Sequence, residues 1–102
     1  SLTALDLAAS KLLANADRWL DDVVFSRDVI DLAMMRLRLP LLRKALSKAE
    51  QAYGPAVRRD LGRAIDRLAE RTGWLERCMQ AMAIRVPKAL LWQRIRALRR
   101  VL

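Results

Sequence analysis

The chain has 102 residues, enough for one domain, and its 54% apolar and 30% charged residues are typical of a globular rather than a disordered protein. It contains no histidine and one cysteine, which excludes a Ser-His-Asp or Cys-His catalytic pair, a zinc site built from histidines or thiolates, and an internal disulfide. Of the net charge of +9, residues 52–102 carry +8, and eleven of their twelve cations are arginines. This asymmetry indicates a polyanionic neighbour: nucleic acid, an acidic partner, or another part of the same protein.

The predicted elements in the first half are helices, because glycine and proline are scarce and apolar residues recur with a 3.6-residue period. The first helix is predicted to begin after Thr3, which would act as its N-cap with Asp6 completing a capping box. Ser26 is the predicted N-cap of the second helix. Pro40 either starts a third helix or kinks a continuous one.

The second half of the chain shows equally clear helix boundaries. Gly54-Pro55 is predicted to end the third helix, Thr72-Gly73 the fourth, and Val86-Pro87 the fifth, before a last helix that reaches the C-terminus. No alternating β pattern is present. The sequence therefore predicts an all-α fold, a bundle of five to six short helices forming a single helical domain over residues 1–102.

The lack of a membrane-spanning or secretory segment in the sequence predicts a cytoplasmic location. No uncharged apolar run approaches the ~20 residues of a spanning helix, so no membrane association is predicted. The first stretch carries Asp6 and lacks a basic region, unlike a signal peptide, and the lone Cys78 is predicted to be a buried thiol. The chain begins with Ser1 rather than Met, which favours the C-terminal part of a longer protein.

A polar cluster is predicted between the first two helices. Lys11, Asn15 and Arg18 are four and three residues apart and share one helix face. Asp28 and Asp31 lie one turn apart at the start of the second helix. The cluster is either an interhelical ion-pair network or half of a site, in which the cations hold phosphate and Asp28 contacts a metal, a nucleotide or a nucleophile.

The same residues carry a resemblance to a known family. The relevant pattern is Lys11-Leu12-Leu13-Ala14…Arg18…Arg27-Asp28-Val29-Ile30-Asp31-Leu32. It resembles the helical part that follows the catalytic core in nucleotidyltransferase toxins of the AbiEii/AbiGii type, from type IV toxin–antitoxin systems. The likeness covers about a third of the chain.

The resemblance implies roles for five residues. Lys11 and Asp28 would be the catalytic residues that this part adds to the nucleotide pocket. Arg18, Arg27 and Asp31 would support them as nucleotide-binding residues.

The family's catalytic core contains a Gly-Ser turn and a pair of metal-binding aspartates on a β-sheet. This chain has no Gly-Ser dipeptide, no Asp-x-Asp and no predicted strand, so by itself it cannot perform the reaction. The resemblance implies Mg²⁺ with a nucleoside triphosphate as cofactors of the parent protein, none of them required by this chain alone, and no metal ligand within it. The implied partners are the upstream nucleotidyltransferase core, an RNA acceptor similar to transfer RNA, and an antitoxin protein.

The arginine-rich second half predicts a surface for nucleic acid, since guanidinium groups suit bidentate phosphate contacts. The predicted contact residues are Arg59, Arg63, Arg67, Arg96, Arg99 and Arg100. Alternatively, this is a solvated face on which Arg63 pairs with Asp66 within the helix. Arg67 would pair with Glu70 in the same way. Trp92 either stacks on a base or covers the edge of the core.

Two classes of function follow. The first is the helical C-terminal domain of an AbiEii-like nucleotidyltransferase, which completes the nucleotide site and holds an RNA acceptor. The alternative is a stand-alone basic helical module that binds nucleic acid or protein without catalysis. A third possibility is a scaffold whose basic face docks on a negatively charged partner domain.

Overall fold

Residues 3–102, the part of the chain that the computed structural model describes, contain six α-helices and two 3₁₀ segments joined by short turns, and no strand. The helices are α1 (Ala4–Arg18), α2 (Arg27–Met34), α3 (Leu39–Tyr53), α4 (Ala56–Glu70), α5 (Trp74–Ala81) and α6 (Lys88–Ala97). The 3₁₀ segments are Asp22–Val24 and Leu98–Val101. The predicted all-α bundle is confirmed.

Helix boundaries largely follow the local signals. Thr3 caps α1, its hydroxyl accepting a hydrogen bond from the Asp6 amide at 3.1 Å. Pro40 lies in the first turn of α3, whose first residue is Leu39, so the proline marks the start of a new helix rather than a kink in a longer one. Gly54 follows α3 with a φ of +95°, a backbone conformation that favours glycine. The fifth helix is shorter than predicted, since α5 ends at Ala81.

Ser26 occupies the predicted N-cap position of α2, but its side chain does not cap the helix. Its φ of +53° is left-handed, as is that of Phe25 before it. The Ser26 hydroxyl instead accepts a hydrogen bond from Trp74 Nε1 at 2.9 Å. The segment before α2 is therefore fixed by a side chain from α5, not by a local cap.

Helix α1 is central to the packing, because it contacts α2, α3 and α4. Alanines at Ala8, Ala45 and Ala49 are fully buried, which permits close approach of α1 and α3. Trp74 is buried at the start of α5, and Cys78 is buried as predicted. These contacts bring one face of α1 alongside the start of α2, where the candidate site lies.

Among residues 3–102, no helix has the length and apolar character needed to cross a membrane.

Candidate functional site between the first two helices

Arg18 and Asp28 form the buried part of the predicted cluster. Arg18 Nε and Nη2 donate to the two oxygens of Asp28 at 2.6 and 2.9 Å, a bidentate pair that joins the end of α1 to the start of α2. Asp28 is only 2% exposed, whereas the Arg18 side chain is 42% exposed. Hydrogen bonding to the Asp28 carboxylate raises the pKa of Arg18.

Lys11 and Asp31 form the outer part of the cluster. Lys11 Nζ donates to Asp31 Oδ2 at 2.7 Å and lies 3.9 Å from Asp28 Oδ1. The Lys11 side chain is 25% exposed and that of Asp31 is 33% exposed. An ammonium has three donors, and within residues 3–102 only Asp31 is close enough to accept a hydrogen bond from it. A ligand at the surface could therefore reach Lys11 without breaking the Arg18–Asp28 pair.

Asn15 and Arg27 take no part in the ion pairs of the cluster. Asn15 lies on α1 between the two cations and is buried, and its Nδ2 has no hydrogen-bond partner within residues 3–102. Arg27 is exposed and makes no ion pair with another described residue. The structure thus brings Lys11, Arg18 and both aspartates into one network, while Arg27 lies outside it.

The cluster does not resemble a metal site by its own residues. No group of three or more carboxylates, cysteines or histidines within residues 3–102 is arranged to hold a metal ion. Both aspartates of the cluster already accept hydrogen bonds from cations. The arrangement instead presents the Lys11 ammonium at the surface, next to the Arg18–Asp28 and Lys11–Asp31 ion pairs.

At the C-terminal end of α4, the arginines bind an acid that is distant in sequence. Arg67 and Arg71 both bind Asp22 in the first 3₁₀ segment, and the second of these contacts is 2.8 Å long. Asp66 pairs with Arg99, at 2.8 Å, and not with Arg63. The predicted pairing within the helix is therefore wrong. These ion pairs link α4 to other parts of the bundle.

The remaining arginines of the predicted nucleic-acid surface differ in whether they pair with an acidic residue. Arg59 Nε lies 3.3 Å from the carboxylate of Asp60, its neighbour in sequence. Arg63, Arg96 and Arg100 have no acidic partner in the described part of the chain. The guanidinium carbon of Arg96 lies 5.9 Å from the centre of the half-buried Trp92 ring. The open basic positions are thus found on α4 and on α6 with its 3₁₀ extension.

The sequence alone does not predict the part played by Asp22 and Trp74. Phe25 stacks on the Trp74 ring at 5.8 Å between ring centres, and the Arg71 guanidinium carbon lies 4.2 Å from the Trp74 centre. The sequence signal for the contact of Asp22 with the arginines is the Asp21-Asp22 pair that follows the first helix, together with the regularly spaced arginines of the fourth. It does not specify which arginines bind.

Comparison with known proteins identifies no relative: no family model, curated protein or solved structure matches this chain.

Proposed function

We propose that this chain is the helical C-terminal domain of an AbiEii-like nucleotidyltransferase that acts in the cytoplasm. In this proposal Lys11 and Asp28 complete a nucleotide site on the upstream core, which would supply the carboxylates for Mg²⁺. The basic second half holds the RNA acceptor, and an antitoxin protein is a further partner. The motif residues that suggest the family are the basis of the proposal.

The structural observation that supports the proposal is at Lys11, which is partly exposed and incompletely hydrogen-bonded, while the residues around it are held in ion pairs. Asp31 accepts one hydrogen bond from its ammonium group, which leaves donors for a phosphate oxygen. A lysine at the edge of a nucleotide pocket would neutralise charge on the transferring phosphoryl group, the main requirement of phosphoryl-transfer catalysis.

The two ion pairs assign different tasks to the neighbouring residues. Arg18 holds both oxygens of Asp28, so that carboxylate is fixed in orientation and is a positioning partner for Lys11, which lies 3.9 Å away. Asp31 keeps the Lys11 side chain at the surface beside α2. An incoming phosphate would compete with Asp31 for the same ammonium.

The test is Lys11→Ala in the full-length protein, assayed for transfer of a radiolabelled nucleoside triphosphate to transfer RNA in the presence of Mg²⁺. We expect the rate to fall by about 100-fold or more, the usual effect of removing one electrostatic contact to the transition state. Lys48→Ala is the matched control, because Lys48 makes an exposed ion pair with Asp6 on another part of α1. Transfer at the wild-type rate by Lys11→Ala would refute the proposal.

The second candidate, a basic module without catalysis, is favoured by a separate observation. Arg63 and Arg96 have no acidic partner among residues 3–102 and are exposed. A module of this kind binds polyanions with an affinity that falls steeply as salt rises. It predicts that Arg63→Glu with Arg96→Glu abolishes RNA and DNA binding, while Lys11→Ala and Asp28→Asn leave it unchanged. Binding that survives charge reversal would exclude this candidate.

A further inference from the structure

A pocket of about 200 Å³ lies where the C-terminal end of α2 meets α3 and α6, at the opposite end of α2 from Asp28. Its apolar floor includes Leu32, Leu42 and Leu98. The volume is enough for roughly six water molecules, and it is below the ~300 Å³ at which pockets for organic ligands begin. The pocket is thus sized for a small group.

Three arginines surround this floor: Arg36, Arg94 and Arg100. No aspartate or glutamate of the described chain lines the pocket. Arg100 Nε donates to the Ala97 carbonyl at 3.0 Å, which leaves its two terminal nitrogens without a partner in residues 3–102. Arg94 Nη1 makes only a 3.7 Å contact with the thioether sulfur of Met34.

This arrangement contrasts with that of the arginines around Asp22. Arg67 in the last turn of α4 and Arg71, the residue after that helix, share the carboxylate of Asp22. The pocket lining contains three arginines, and no acidic residue among residues 3–102 lines it to offset their charge.

The backbone at Arg36 adds to the contrast. Its φ is +52°, in the position after a helix end where glycine is usual, so the chain carries an arginine there against its backbone preference.

We propose that this pocket binds a phosphate group. Guanidinium groups form paired hydrogen bonds with phosphate oxygens, and three of them around one small pocket can surround a tetrahedral oxyanion. The group is either an internucleotide phosphate of RNA or free orthophosphate. The site involves neither Lys11 nor Asp28, so it does not depend on the proposed transfer reaction.

The first measurement is binding of a 12-nucleotide single-stranded oligouridylate to the full chain, followed by fluorescence anisotropy between 50 and 300 mM NaCl. For an RNA phosphate in the pocket, Arg36→Gly, Arg94→Gln and Arg100→Gln each weaken binding. Together they reduce the magnitude of the slope of log affinity against log salt by about 0.7, the contribution of the one phosphate that they share. Arg85→Gln is the control, since Arg85 belongs to the same arginine-rich second half of the chain and does not line the pocket. It removes the same charge and leaves the slope unchanged.

The second measurement is a titration with sodium phosphate, followed by NMR of the arginine Nε–Hε signals. Free phosphate is the ligand if orthophosphate shifts the signals of Arg94 and Arg100 but not that of Arg85. In that case the pocket variants leave the salt dependence of oligouridylate binding unchanged. Thermal unfolding of every variant checks the fold, and Arg36→Gly is safe in this respect because glycine suits its backbone. Arg85→Gln acting as strongly as the pocket variants, or no response to either probe, overturns the proposal.

Discussion

The buried pair of Arg18 and Asp28 predicts that its two members are unequal in their effect on stability. Arg18→Met leaves the Asp28 carboxylate, 2% exposed, without either of its hydrogen-bond donors. Removing one partner of a buried ion pair costs about 3–5 kcal/mol. Since Lys11 Nζ remains 3.9 Å from Asp28 Oδ1, we expect the lower end, about 3 kcal/mol.

Asp28→Asn has a smaller expected cost. The asparagine oxygen still accepts a hydrogen bond from Arg18, and the Arg18 side chain is 42% exposed and can be solvated by water. The asparagine amide nitrogen is a donor and cannot accept the second hydrogen bond from Arg18. We therefore expect a loss of about 1.5 kcal/mol, the lower value for one hydrogen bond to a charged group. The double variant Arg18→Met with Asp28→Leu removes the buried charge as well as its partner. It should recover about 2 kcal/mol relative to Arg18→Met alone, because apolar replacement of a buried pair is nearly neutral.

The assay is equilibrium unfolding in urea, followed by tryptophan fluorescence, to which the buried Trp74 contributes along with Trp19 and Trp92. With a slope of about 1.5 kcal/mol per molar urea, a loss of 3 kcal/mol moves the midpoint down by about 2 M. Equal losses for Arg18→Met and Asp28→Asn would refute the reasoning, since the argument rests on the difference in exposure. So would a double variant no more stable than Arg18→Met.

Two further predictions concern acid stability and glycine replacements. Hydrogen bonds from Arg71, then Arg67, lower the pKa of Asp22 from its ordinary 3.8 to about 2. The stability that this carboxylate contributes is complete above pH 3.8 and is lost as the pH falls towards 2, so in thermal unfolding from pH 5 to 2 Asp22→Asn should show a shallower decline than wild type; parallel curves would contradict this. Gly62→Ala inside α4 should raise the free energy of unfolding by about 0.5–1 kcal/mol, because the added carbon meets its nearest neighbour at an ordinary 3.5 Å. Gly54→Ala is the contrasting control and should lower it, since its φ of +95° disfavours alanine, and a stabilised Gly54→Ala in urea titration would count against the argument.

Much of the fold could be predicted because its signals are local. The Thr3 cap, the helix start at Pro40 and the stop at Gly54 each depend on residues within one turn. The facing of Lys11 and Arg18 towards the start of the second helix could be predicted too, because helical spacing places both on one side.

The chain by itself therefore determined the helices, their order and the charges that face each other across α1 and α2. Tertiary structure alone decided which partners meet over long separations: Asp22 with Arg71, and Ser26 with Trp74 rather than with its own helix. These choices depend on how α4 and α5 pack, which no local pattern specifies. The pocket of three arginines is of the same kind, because its members come from separate elements and share no spacing in the sequence.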